Sequence, residues 1–165
     1  MLVASLGPEV VRLRLLDSGD RERLRRLFFR LSPSTVYRRF LSPLPGPCDS
    51  VLDRLLNLDH CDREAVAAVV DDEIVAVARY ARQPGQQAAE LALVVADEWQ
   101  GRGLGRMLLR RLARLARLRG VRVFTGTMLA DNRPMLELLR ALSPELRARA
   151  SAGQLEVEIP LRPRP

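Results

Sequence analysis

The stretch richest in chemistry is Val94-Val95-Ala96-Asp97-Glu98-Trp99-Gln100-Gly101-Arg102-Gly103-Leu104-Gly105-Arg106. Its three glycines follow an apolar run and precede a helical pattern. A strand that enters a helix through such a turn leaves the first helical N–H groups without partners, and the helix dipole adds positive potential there. Glycine also lets the backbone approach a phosphate closely and take angles other residues resist. The segment therefore reads as an anion site or as a tight connection. Two nucleotide motifs fail against it. A Walker A loop needs Gly-Lys-Ser/Thr, and the chain has no lysine. A dinucleotide fingerprint counted from Gly101 and Gly103 needs a third glycine where Arg106 stands.

Few other residues offer catalytic chemistry. His60 is the single histidine; with Cys61 but no second His and no CxxC it makes no metal site, so no metal is expected. Among carboxylates, Glu90 begins an apolar strand pattern, while Glu64 and Glu73 flank the preceding hairpin pattern. Strand alternation puts Glu90 on the face of Ala92 and Val94, opposite Leu91 and Leu93. That fits a cleft-facing carboxylate, and equally a solvated strand-start glutamate.

The elements that must position these groups are legible in outline. Val11, Leu13 and Leu15 alternate with Arg12 and Arg14 as a strand. Asp17 or Ser18 can cap a helix carrying Leu24, Leu27, Phe28 and Leu31, and Ser32-Pro33 restarts a short helix through Phe40. Ser42 to Pro47 is a loop, because its prolines allow neither helix nor central strand. Another short helix spans Val51 to Leu58. Ala65 to Val70 and Ile74 to Ala81 form a hairpin around Asp71-Asp72, with a third strand from Ala89 to Val95. Gly103 to Arg119 is a long amphipathic helix, Val121 to Met128 a strand, and a helix capped near Asn132 runs to about Leu142. Gln154 to Leu161 closes the chain as a strand. The order predicts one mixed α/β domain over residues 1–165.

The 165 residues are 47% hydrophobic and 28% charged, which is globular composition, and no apolar run is long enough to span a membrane. Two cysteines, Cys48 and Cys61, are too few for a disulfide scaffold, and residues 1–11 carry Glu9 without a basic leader. A cytoplasmic location is expected. Every one of the 27 basic residues is arginine, and the net charge is +7. Arginine suits phosphate and carboxylate partners, although GC-rich coding would give the same bias. Arg106, Arg110, Arg114 and Arg117 share one helix face and read as solvated. The seven aromatics are too scattered for a stacking platform, so nucleic acid is not expected as a partner.

What the loop retains is Gln-x-x-Gly-x-Gly, at Gln100, Gly103 and Gly105. It resembles the pyrophosphate loop of the GNAT superfamily of N-acetyltransferases. The resemblance extends to the strand before the loop, the helix after it, the strand Val121 to Met128, and Asp131-Asn132-Arg133-Pro134-Met135. Arg30-Leu31-Ser32-Pro33-Ser34 with Tyr37-Arg38-Arg39-Phe40, and Leu58-Asp59-His60-Cys61-Asp62-Arg63-Glu64, resemble bacterial protein lysine acetyltransferases of the Pat type. The resemblance covers residues 9–161 and is strongest over 88–142.

This resemblance implies a GNAT fold, a central mixed and mostly antiparallel sheet flanked by helices, with acetyl-CoA as co-substrate. Leu93, Val94 and Val95 would pair with the pantetheine arm. Amides of Gln100, Gly101, Arg102, Gly103, Leu104, Gly105 and Arg106 would hold the pyrophosphate, with added charge from Arg102 and Arg106. Asn132 matches a position whose side chain reaches the cofactor. Glu90 falls where the family's protein acetyltransferases place a general base. The implied acceptor is a primary amine, foremost a protein lysine. A small-molecule amine and a non-catalytic acyl-CoA-binding module are the alternatives. A lysine near pKa 10.4 must lose its proton first, at a cost of about 4.6 kcal/mol at pH 7. The family's thiolate-protonating tyrosine is replaced by Leu139, so the acid role is unassigned.

Overall fold

Residue patterning sets the strands of the central sheet. In a computed structural model, residues 1–42, 46 and 48–162 are described. The expected loop at 42–47 lies largely outside them. Strands β1 (Leu2–Leu6), β2 (Glu9–Leu15), β3 (Arg63–Val70), β4 (Glu73–Ala81), β5 (Ala88–Val95), β6 (Val123–Leu129), β7 (Arg147–Ser151) and β8 (Gln154–Pro160) form one sheet. Its order is β1-β2-β3-β4-β5-β6-β8-β7. All neighbours are antiparallel except β5 and β6. That parallel pair needs a crossover, and α4 (Leu104–Leu118) supplies it.

The hairpin between β3 and β4 turns at Asp71 and Asp72, both at positive φ (46° and 65°), as a two-residue connection requires. β3 and the first half of β4 are almost wholly buried, because helices cover both faces there. Helix α4 buries Leu104, Leu108, Leu109 and Leu112 on one face. On the other lies α1 (Arg21–Arg30), burying Leu24, Leu27 and Phe28. Two short helices, α2 (Pro33–Phe40) and α3 (Asp49–Leu56), follow it, and α5 (Arg133–Leu142) packs beside α4. Ser32 caps α2 by accepting from the Thr35 amide at 3.2 Å.

The expected alternation through Leu15 breaks. Leu15 is exposed and Leu16 is fully buried, because the strand ends at Leu15 and the chain enters a 3-10 turn (Ser18–Asp20). Asp17 caps that turn rather than α1 itself. The strands β1 and β7, absent from the sequence expectation, sit at the two sheet edges and carry largely exposed side chains.

Candidate functional site

The sheet opens between β5 and β6. The two strands share three rungs, Ala88 with Val123, Ala89 with Phe124 and Glu90 with Thr125. Beyond that point β5 continues on β4 alone and β6 on β8 alone. A wedge therefore begins directly after Glu90. It forms a cavity of about 590 Å³, whose walls include Leu91, Ala92 and Leu93 from β5 and Thr125 to Met128 from β6. Asn132, Met135 and Leu139 of the α5 segment also line it.

At the far end of β5 the chain passes through a 3-10 turn (Asp97–Trp99) into the glycine loop. Gly101 and Gly103 adopt φ of +72° and +87°, angles that explain glycine at both positions. Gly103 is the residue before α4 and no side chain caps the helix. The first intrahelical bond runs from the Met107 amide to the Gly103 carbonyl at 3.2 Å. The amides of Leu104, Gly105 and Arg106 thus precede any intrahelical acceptor. They edge a second cavity of about 380 Å³, together with Val94, Val95, Asn132 and Arg106. Gly105 is tight for a different reason: a Cβ there would stand 2.9 Å from Leu138 Cδ2 and 3.3 Å from Leu93 Cδ2.

The structure gathers most of the expected binding residues around these cavities and redirects some side chains. Gln100 Nε2 donates to the Val95 carbonyl (3.0 Å) and to Thr35 Oγ1 (3.2 Å), tying the loop to β5 and α2. The Arg102 guanidinium bonds Glu9 and lies over the Trp99 ring, 4.1 Å from its centroid; Arg102 does not line the cavity. Arg106 does line it and is exposed, with Arg110 and Arg114 exposed farther along the helix. The buried Asn132 borders both cavities, and its Oδ1 accepts from the Met135 amide at 3.4 Å as the α5 cap.

Glu90 is exposed at the apex of the wedge. It also borders an open groove on the half of the sheet formed by β6, β8 and β7, with Thr125, Thr127, Glu156, Glu158, Arg147 and Arg149. The other two carboxylates considered lie elsewhere. Glu64 is fully buried, bonded to His60 Nδ1 (2.9 Å), Arg119 Nη1 (2.8 Å) and the Ala65 amide (3.0 Å). Glu73 pairs with Arg26 and Arg30 of α1. Leu139 is buried against the wedge, where it brings no hydroxyl.

The wall facing Glu90 is cationic, and sequence reasoning missed it. Arg38 and Arg39 from α2, Arg54 from α3, Arg63 from β3 and Arg79 from β4 line the wedge cavity, with Glu90 as its one carboxylate among the described residues. Burial, with the neighbouring Arg79 and Arg54 charges, lowers the Arg39 pKa to about 10, while Glu90 pulls it upward. Burial also lowers Arg79, reinforced by Arg54 and Arg63 and opposed by Glu90. Spacing could not reveal this cluster, because its arginines come from four separate elements.

With this geometry in view, comparison with known proteins is decisive. The model of the Acetyltransferase (GNAT) family matches residues 33–143. The chain belongs to the GNAT family. It is 38% identical over 136 residues to an acetyltransferase of Pseudomonas aeruginosa, covering 80% of this chain and 73% of that protein. It is 32% identical over 153 residues to the acetyltransferase Pat of Mycolicibacterium smegmatis, covering 90% of this chain and 45% of that protein. This chain thus spans less than half of the Pat relative. The GNAT domain of S. lividans PAT superposes with TM-score 0.84 at 28% identity, over 92% of this chain and 90% of that domain. As a GNAT, the protein is an acetyl-CoA-dependent N-acetyltransferase with an amine acceptor.

The residues present fit acetyl-CoA. Unpartnered amides at an uncapped helix start suit a pyrophosphate, and Arg106 adds a cation beside them. The β5 edge that β6 abandons after Glu90 offers strand hydrogen-bonding groups to an amide-bearing arm. Among the described residues there is no cluster of three or more His, Cys, Asp or Glu that could hold a metal. No described helix is long and apolar enough to cross a membrane.

Proposed function

We propose that the protein acetylates the side-chain amine of a protein lysine, with Glu90 as general base. One observation carries the reading. The one parallel strand pair among the described residues separates immediately after Glu90, which leaves a carboxylate between the wedge and the open groove. The amides of Gly101 to Arg106, with the Arg106 side chain, hold the pyrophosphate, whereas the Gln100 amide, expected among them, already donates to the Asp97 carbonyl at 3.3 Å. Leu93, Val94 and Val95 pair with the pantetheine arm, and Asn132, which borders both cavities, meets the cofactor between them. Gln100 serves mainly through its side chain, which fixes the loop to the end of β5. Acetyl-CoA supplies the acetyl group as an activated thioester.

Glu90 receives the proton that a lysine must lose before it can attack. Without a base that proton costs about 4.6 kcal/mol at pH 7, and a positioned carboxylate offsets much of it. The groove beside Glu90 is open enough for an extended segment of an acceptor protein, which supports lysine over a small amine enclosed in a pocket. The named Pat relatives point the same way. The two exposed free cysteines agree with a reducing cytoplasm, and we treat residues 1–165 as one catalytic domain.

A second reading, an acyl-CoA-binding module without turnover, is favoured only by Leu139, which leaves no hydroxyl where the family often has one. Thermal unfolding with acetyl-CoA, and thiol release with lysine peptides and small amines, test both. Ligand at about 100 times Kd adds roughly 2.7 kcal/mol, a rise of about 5–10 °C for a domain of this size. Stabilisation with thiol release on lysine peptides supports the proposal. Stabilisation without release on any amine supports the module instead.

A further inference from the structure

Arg38 and Arg39 of the cationic wall also border the cavity at the glycine loop, where the donor's phosphates belong, but the rest of the wall does not. Arg54 and Arg79 line the wedge cavity beside Glu90 but not the cavity at the glycine loop. Among the described residues Arg39, Arg54 and Arg79 have no carboxylate within 4 Å, whereas Arg63 has Asp59 at 3.0 Å. Arg79 Nη2 reaches only the Arg54 carbonyl, at 3.5 Å, and its buried Nε has no hydrogen-bond partner at all. A buried polar group left unsatisfied is uncommon in a folded protein and needs an explanation. A guanidinium is a fork for carboxylate or phosphate. Three of them converge on one cavity, and desolvation raises the attraction of any anion placed there. The open groove differs: Arg147 stands opposite Glu158 and Arg149 opposite Glu156 across β7 and β8, and Glu90 leaves its lining with an excess of negative charge.

We propose that the acceptor carries a carboxylate or phosphate beside the nitrogen that is acetylated, held by Arg39, Arg54 and Arg79 while Glu90 meets the ammonium. This rests on the acetyl-transfer reading above and narrows its acceptor. An acidic residue next to the target lysine supplies such a group, and so does a small anionic amine. A bare polyamine or a lysine among arginines does not. The arrangement also gives the ammonium one favourable neighbour, Glu90, and repels any acceptor whose positive charge extends toward the wall.

The test uses matched acceptors with saturating acetyl-CoA, read as kcat/KM from thiol release. Three peptides carry one lysine flanked by glutamates, serines or arginines. O-phosphoethanolamine is paired with ethanolamine. The anionic member of a set should exceed its neutral partner by roughly ten- to a hundredfold, the scale of one or two charge-assisted hydrogen bonds, mainly through KM. The ratio should shrink at high salt and in Arg54→Gln, a variant expected to fold because Arg54 is exposed and its side chain makes no hydrogen bond or ion pair among the described residues. Arg79→Met should shrink it further. A preference confined to the peptides identifies the acidic residue as the anion's source, and one confined to O-phosphoethanolamine identifies a small amine. Neutral or arginine-flanked acceptors used as well as the anionic ones would overturn the proposal while leaving acetyl transfer intact. So would a ratio untouched by Arg54→Gln. Bound acetyl-CoA with no thiol release on any acceptor would remove the acetyl-transfer reading and this one with it.

Discussion

Replacing Arg79 by methionine should make the ligand-free protein more stable. Arg79 sits on β4 opposite Ala92 of β5, with a buried Nε that has no partner and a weak 3.5 Å contact to the Arg54 carbonyl. One unsatisfied buried donor costs about 1–3 kcal/mol, and the long contact gives little back. Methionine keeps the aliphatic stem and removes both the donor and the repulsion from Arg54 and Arg63. The expected gain is about 1–2 kcal/mol, or roughly 3–6 °C in Tm for a domain of this size. The sign of any pH dependence follows from the lowered Arg79 pKa. Below the folded value both states hold the proton, so the penalty is fully present; it is relieved only as pH rises through that value. Near neutral pH the gain should therefore be constant, and thermal melts at pH 6 and pH 8 without ligand check it. A Tm that falls or stays unchanged would refute the claim that the wall is under-paired, and with it the reason to seek an anion there.

Other perturbations separate structural from functional groups. Asp20 is buried at the end of the first turn, forked by Arg14 at 2.6 and 2.7 Å. Burial pushes its carboxyl up, but Arg14, the Asp17 amide and Arg23 outweigh this and hold it below the ordinary value. Asp20→Asn should cost about 3 kcal/mol near neutral pH. Asp20's stabilisation is complete above the ordinary carboxylate pKa and lost as pH falls through the lowered one, so the melts should begin to approach each other below about pH 4 and meet only below that lowered value. Glu64→Gln should lower Tm by a similar amount, since it breaks a buried pair with Arg119 and His60, yet leave the pH profile of kcat/KM unchanged. Gly103→Ala should cost about 1–2 kcal/mol from its φ of +87°, and calorimetric titration should show weaker acetyl-CoA binding.

How much of this was legible depends on how local each cause is. The Asp71-Asp72 hairpin, the glycine loop and α4 follow from neighbouring residues: turn chemistry, positive φ and a 3.6-residue period. The edge strands were not legible, because β7 reads Arg-Ala-Arg-Ala-Ser and is wholly exposed. It is held by pairing with β8, a partner that alternation cannot reveal. Glu90 could be placed on a strand face, but not at the apex of a wedge, since the separation of β5 from β6 is a property of two strands and the crossover between them. Arg102 looked like a phosphate ligand by proximity in sequence, yet Glu9, from a strand the loop meets only in the fold, engages its side chain. The arginine wall is the extreme case. In composition it is indistinguishable from solvated helix faces, and only the packing of α2, α3, β3 and β4 turns it inward.

The most direct test of Glu90 as base is the pH dependence of kcat/KM for a lysine peptide in the native protein and in Glu90→Gln. The chain contains no lysine, so lysine-linked label belongs to the acceptor alone. Loss of a general base should lower kcat/KM at pH 7 by about 10²–10⁴. That deficit should narrow steadily toward pH 10, where the acceptor amine frees its own lone pair. A variant within threefold of the native rate at pH 7, or a deficit equally deep at every pH, would contradict the assignment.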